Sequence, residues 1–284
     1  MNLHRPDSFT YTPDRSGTER ALARSTHLGI GAHQDDLESI AIAGILQAYR
    51  EDSSWFSGVV VTDGSGAPRR GPYADLSGAE LTEVRNREQI AAADRGRYSS
   101  ITLLAYPSAE ARDPADRNPT RDLQAVIQAA GPEVLYTHSP LDKHPTHAAV
   151  AVRTLTALRD LPSKSRPSRV YGVEFWGGLD WVPEGDRVVF DCSRQQQLQR
   201  DLLESFPSQN TAKDYPRAVL ARRRANAVFR HSHQADQLEA VTYGLDLTPL
   251  VQDPNREIKD YFLDIINSYR EQALVTLNRF LPRS

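Results

Sequence analysis

The stretch His27-Leu28-Gly29-Ile30-Gly31-Ala32-His33-Gln34-Asp35-Asp36 begins as a short apolar run and ends on polar residues, and an apolar stretch of helical period, 37–49, follows at once. A strand, a tight turn and a helix in that order form the first step of a βα unit. The alternation continues downstream: strands are predicted over 27–32, 57–62, 101–104, 134–137 and 170–175, with helices over 37–49, 79–95, 120–130 and 146–158 between them. Each helical stretch carries apolar residues three and four apart, and Gly131-Pro132 punctuates the end of the third. Strands joined through helices run parallel, so the expected fold is α/β, a Rossmann-like parallel sheet flanked by helices. The Gly-, Pro-, Asp- and Arg-rich segments 64–78 and 107–119 follow strands and are expected to be long loops at the carboxyl edge of that sheet.

Beyond residue 176 the pattern changes. An extra C-terminal strand is expected over 188–191, with helices over 195–206, 218–230 and 258–280. The last helix carries Ile258, Tyr261, Phe262, Ile265, Ile266, Tyr269, Ala273, Leu277 and Phe280 on one stripe, suited to the main body or to a second subunit in a homo-oligomer. Arg222-Arg223-Arg224 reads as a solvated helix face. Residues 1–25 mix Pro, Asp, Arg and Thr without an apolar run and read as a polar arm rather than an export signal. The expected organisation is that arm followed by one domain over 26–284, with its core at 27–175 and an extension at 176–284.

Composition narrows the functional classes. Lys and Arg number 34 against 37 Asp and Glu, for a net charge of −3, which lacks the basic excess of a nucleic-acid binder. No apolar window approaches the roughly 18 residues of a membrane span. Cys192 is the single cysteine, so neither an intramolecular disulfide nor a Cys-based zinc cluster can form, and a reducing, cytoplasmic setting is expected.

The first turn is no dinucleotide cradle. Gln34 stands where the third glycine of that fingerprint would be, and an imidazole and two carboxylates occupy the place of a phosphate-binding backbone. Such a turn suits a cation: His33 and Asp36, three apart, can aim a nitrogen and an oxygen at one point, with Asp35 beside them. The fourth strand leads into His138-Ser139-Pro140-Leu141-Asp142-Lys143-His144-Pro145-Thr146-His147, where Pro145 opens a helix and His144 and His147 lie about one turn apart. If strand order reverses between the first and fourth strands, the two loops flank one crevice and His33, Asp36, His144 and His147 converge there. Nitrogen and carboxylate ligation with an open position is the usual catalytic zinc arrangement, with Fe²⁺ an alternative occupant. Water in the open position is acidified, Asp35 is free to take its proton, and a remaining imidazole, if protonated, can hydrogen-bond an oxyanion, His144 being the candidate. No serine nucleophile elbow or Cys-His pair is present.

These residues resemble the LmbE-like, PIG-L-type zinc de-N-acetylases, whose motifs read approximately Ala-His-Pro-Asp-Asp-Glu and His-Pro-Asp-His. Here they stand as Ala32-His33-Gln34-Asp35-Asp36-Leu37-Glu38 and His144-Pro145-Thr146-His147. Looser similarity extends over 61–64, 85–88 and 171–174. Family members hydrolyse the acetamide of N-acetylglucosamine-type groups in glycolipid, low-molecular-weight thiol or antibiotic precursors. The resemblance implies zinc ligation by His33, Asp36 and His147, with Asp35 as general base and His144 as oxyanion partner. Gln34 replaces the usual Pro, Leu37 takes the usual acidic position, and Thr146 replaces the Asp of the second motif, so that any orienting of His144 by that carboxylate is lost or passes to Asp142. Asp142 also stands where some members have Tyr.

Further polar residues each have two readings. Arg85 can reach a sugar hydroxyl or phosphate, or pair with Glu88 on the helix surface. Asp63 can bind sugar hydroxyls or form an Asp-Gly turn. Asp142 can meet substrate or, as a fourth ligand, close a structural site. His138 is expected to support a metal-bound histidine, His231 or His233 to border the pocket, and Trp176 and Trp181 to stack on a sugar or pack a loop. The expected activity is removal of an N-acetyl or related acyl group from a small amino-sugar-containing molecule. A larger amide, such as a glucosaminyl thiol conjugate, is the alternative within that class, and a non-catalytic sugar or nucleotide binder the alternative outside it.

Overall fold

A computed structural model describes residues 1–282 and places the run His27–Gly31 at the centre of an eight-stranded sheet, buried along its whole length. In chain order the first half comprises β1 (Phe9–Tyr11), α1 (Thr18–Ala23), β2 (His27–Gly31), α2 (Leu37–Ile40), α3 (Ile42–Ala48), β3 (Phe56–Thr62), α4 (Gly78–Gly96), β4 (Ser100–Tyr106), α5 (Ser108–Arg112) and α6 (Asn118–Ala130). The second half comprises β5 (Val134–His138), α7 (Pro145–Arg159), β6 (Arg169–Val173), β7 (Val188–Asp191), α8 (Gln196–Leu203), α9 (Pro207–Asn210), α10 (Tyr215–Val228), β8 (Val241–Asp246), α11 (Thr248–Gln252) and α12 (Ile258–Phe280).

The sheet order is β1-β4-β3-β2-β5-β6-β8-β7. Strands β2 to β6 are parallel, while β1, β8 and β7 add antiparallel at the two sides. The fold is thus α/β, mostly parallel and flanked by helices. Its order reverses between β2 and β5, so the loops after these strands open onto one crevice. Alternate residues of β3 feed two cores: Val59 and Val61 join Leu28, Ile30, Val126 and Leu155 on one face, while Val60 joins Leu37, Ile45, Ala92 and Tyr98 on the other. No described helix is long and apolar enough to cross a membrane.

Two paired glycines set how closely the site helix approaches the sheet. Gly29 and Gly58 face each other across β2 and β3. A Cβ on Gly29 would stand 2.8 Å from the Phe56 ring and 2.9 Å from Ala41 Cβ, and one on Gly58 would stand 2.6 Å from Leu37 Cδ1. Their absence lets Leu37 and Ala41 press onto the strands, which fixes the turn 32–36 at the sheet edge.

Several elements depart from the sequence expectation. Residues 1–25 are more than an arm, since β1 pairs with β4 and α1 buries Ala21 and Leu22. The stretch 37–49 is two helices, broken at Ala41 (φ −110°, ψ 15°). The segment 107–119 contains α5 and the start of α6. Arg223 is no solvated residue: it is buried in α10 and donates to Gln199 Oε1 and the Glu38 carbonyl. On α12, Phe262 and Ile265 are buried, whereas Ile266, Tyr269, Leu277 and Phe280 are exposed, so part of the predicted stripe has no cover among the described residues.

Candidate metal centre

The turn after β2 and the N-terminus of α7 meet at the crevice. His33 Nδ1 lies 3.2 Å from His147 Nε2 and 3.4 Å from Asp36 Oδ2, and His147 Nε2 lies 3.5 Å from Asp36 Oδ1. Bonds of about 2.1 Å from one tetrahedral ion separate its ligand atoms by about 3.4 Å, and the spacing of His33 from His147, and of each from one oxygen of Asp36, is of that size. His33, His144 and His147 offer ring nitrogens within 4.8 Å of one another, as do Asp36, His138 and His147 their ligand atoms, so His147 is common to both groups.

The surroundings hold these groups in the ligating protonation state. Burial disfavours the charged Asp36, but the charges of His147 and His138 and hydrogen bonds from His138 and His33 outweigh it and keep the carboxyl well below the usual range. Burial lowers His33 and His147, which favours the neutral imidazoles that bind metals. His138 is fully buried behind Asp36, with Nε2 3.0 Å from Asp36 Oδ2, and stacks on His147 at 3.9 Å. It backs Asp36 rather than bonding the ring nitrogen of a histidine, the partner expected from the sequence.

Asp35 lies beside this cluster with its side chain 12% exposed, lining a cleft of about 460 Å³. It has φ 94°, a conformation rarely adopted by a residue with a Cβ, and α4 holds it there. Arg85 Nη2 donates to the Gln34 carbonyl at 2.6 Å and reaches Asp35 Oδ1 at 3.4 Å, its Nη1 donates to the Gly64 carbonyl, and Gln89 Oε1 accepts from the Asp35 amide. Burial pushes the Asp35 carboxyl well above the usual range; the Arg85 charge opposes this and the Asp36 charge adds to it. His144 faces the same cleft, its ring centroid 5.0 Å from that of His33 and 4.4 Å from that of His147. Burial, with His147 and His33 adding to it, lowers His144 to about 4, which favours its neutral imidazole.

The predicted substrate residues divide. Arg85 lines the cleft but spends its guanidinium on the turn. It does not pair with Glu88, whose carboxylate accepts from Ser208. Asp63 is absent from the cleft wall, and its Oδ1 accepts from the amide and hydroxyl of Ser65, the turn-forming alternative. Asp142 lies behind the cluster: Oδ1 accepts from the His144 amide, Oδ2 accepts from the Trp176 amide, and Oδ2 stands 3.5 Å from His147 Nδ1, on the ring edge away from the centre. It orients His147 and is not a fourth ligand. His231 pairs with Glu184, and neither it nor His233 borders the cleft. Trp176 lines the cleft, while Trp181 packs on Tyr269 of α12.

Sequence reading missed Ser108, Arg112, Gln209, Lys213 and Tyr215, all of which line the cleft. Asp214 caps α10 by accepting from the Arg217 amide, and Pro216 follows Tyr215. That start signal could have placed Tyr215 at a helix N-terminus, although nothing local points it toward the metal cluster.

Fold and site together define a class, the α/β proteins that gather a His/Asp cluster able to hold a metal at a topological switch point. Residues 28–158 match the PIG-L family, described as GlcNAc-PI de-N-acetylase. No curated protein matches the sequence. Among solved structures, N,N'-diacetylchitobiose deacetylase from Pyrococcus horikoshii is similar with a TM-score of 0.62 and 16% identity, over 82% of this chain and 87% of that one. The A40926 pseudoaglycone deacetylase Dbv21 is similar with a TM-score of 0.58 and 18% identity, over 78% and 97%. GalB, the 4-carboxy-2-hydroxymuconate hydratase from Pseudomonas putida, has a TM-score of 0.62 at 18% identity, over 78% and 96%. One fold thus serves both deacetylases and a hydratase, and the reaction has to be argued from the site.

Proposed function

We propose that the protein is a metal-dependent amide hydrolase that removes an N-acetyl or related acyl group from a small amino-sugar-containing molecule. His33, Asp36 and His147 would hold the ion, which their nitrogen and carboxylate set makes zinc before iron. A divalent ion at that point supplies Lewis acidity toward a carbonyl and toward water. The observation carrying the reading is the unligated Asp35, kept beside the cluster by Arg85 and facing the cleft. Its carboxylate takes a proton from the attacking water and returns it to the departing amine. Burial favours the protonated form needed for the second task, and Arg85 favours the charged form needed for the first. His144 donates its N–H to the oxygen on which negative charge develops. Arg112, Ser108 and Gln209 offer polar contacts to the amine-bearing half of the substrate.

Release of primary amine from N-acetylglucosamine and its glycosides, with and without chelator, tests the activity. Asp35→Asn is expected to leave metal content near that of the wild type and to reduce turnover about a hundredfold or more. Unchanged turnover would overturn the assignment. A non-catalytic sugar binder with this metal cluster would bind the same compounds in both forms and release amine in neither.

A further inference from the structure

A second cavity, of about 390 Å³, adjoins the cleft. Phe175, Trp176, Lys213 and Tyr215 line both, so the two spaces share a wall. Their remaining linings differ in character. The cleft presents Asp35, Arg85, Arg112 and Gln209, whereas the second chamber is predominantly apolar, with Ala218 and Val219 of α10 beside the shared aromatics.

Most polar groups in the chamber wall are already committed. Glu174 accepts from the Leu179 and Tyr243 amides and from Asn226 Nδ2 at 2.8, 2.9 and 2.6 Å. Arg223 donates to Gln199 and Glu38, and Arg222 donates to the Phe175 carbonyl. The Ser39 Oγ is buried beneath the wall, and the Lys213 ammonium lies 4.8 Å from the centroid of the Trp176 ring.

An amide carries two substituents, and polarity sorts them here. A hydroxyl-rich amino sugar suits the cleft, which turns the acyl group toward the chamber. A cavity of this size lies within the roughly 300–1,000 Å³ range of small-molecule sites and far exceeds the needs of an acetyl methyl. Resting on the amide-hydrolase reading, we propose that the chamber is an acyl-side subsite. It admits apolar acyl chains longer than acetyl.

The full-length, metal-loaded protein is given glucosamine N-acylated with acetyl, butanoyl, hexanoyl or octanoyl groups, and released amine is measured. Separately, calorimetry follows binding of N-octanoylglucosamine to metal-stripped protein. The expected result is a kcat/KM at least tenfold higher for hexanoyl than for acetyl, since each buried methylene adds several-fold. Val219→Trp and Ala218→Phe, two independent ways of filling the chamber, should each cut the octanoyl-to-acetyl ratio at least tenfold and weaken octanoyl binding; their thermal transitions report whether they fold. A flat chain-length profile with active enzyme, or a preference that neither filling variant disturbs, overturns the subsite. Octanoyl binding that both filling variants abolish, with no amine released from any compound, upholds the chamber and overturns the hydrolase reading. Neither binding nor hydrolysis overturns both.

Discussion

Glu38, two residues after Asp36, turns away from the cleft into the interior between α2 and α4. Its Oε1 accepts from Gln89 Nε2 at 2.9 Å and from the Tyr98 hydroxyl at 2.8 Å, and burial pushes its pKa from 4.5 up to about 7 against those hydrogen bonds. A carboxyl that holds its proton more tightly in the fold contributes fully at pH values below 4.5 and loses that contribution as pH rises through about 7. In metal-stripped protein, Glu38→Gln should therefore match the wild type near pH 4.5 and exceed it by up to about 3 kcal/mol at pH 8, as read by denaturant unfolding at each pH. A constant difference across the range would show that the Glu38 carboxyl ionises freely. At this scale the sequence disclosed the groups whose chemistry demands a residue type at a fixed offset: His33 and Asp36 across one turn, His144 and His147 across another. The tasks of Arg85 and Asp142 were not legible, because each depends on a partner brought up by another element. Arg85 looks like a surface helix residue until α4 lies against the first turn.

Among the elements, α4 carries the most responsibility for the site, since Arg85 and Gln89 both grip the Asp35 turn. It begins with a reciprocal cap: the Ser77 hydroxyl accepts from the Glu80 amide, and the Glu80 carboxylate accepts from the Ser77 amide. Ser77→Ala removes half of that pair and is expected to cost about 1 kcal/mol, a fall in Tm of about 2 °C by calorimetry, without loss of metal affinity. A loss of metal affinity would show that the start of α4 controls the distant turn. The parallel strands were readable because strands buried on both faces are continuous apolar runs, and α12 because its period holds over six turns. Of the short antiparallel strands, β7 was read but β1 and β8 escaped. β1 is only Phe-Thr-Tyr, half exposed at an edge, and β8 is interrupted by Gly244, where a Cβ would stand 2.8 Å from the Phe190 ring. The break at Ala41 escaped as well, because both halves of 37–49 are apolar and periodicity alone shows no interruption.

For the molecule as a whole, α12 separates a docked half from an undocked one. Phe262 is 7% exposed and packs in the core, while Leu277 is 56% exposed. Phe262→Ala should cost about 3 kcal/mol in denaturant unfolding, and Leu277→Ser should stay within about 0.5 kcal/mol of the wild type. A large effect of the second substitution would reveal that the outer half of α12 is covered in solution. The sheet itself is assembled out of chain order, because β8 lies between β6 and β7 and is the sole hydrogen-bonded neighbour of β7 among the described residues. During translation at about 5–20 residues per second, β7 leaves the ribosome seconds before the segment that must slot in beside it. Until residue 246 has emerged, the nascent chain exposes two unpaired strand edges, the arrangement most prone to capture a neighbouring polypeptide. Products truncated before that residue should therefore aggregate rather than persist as smaller folded proteins.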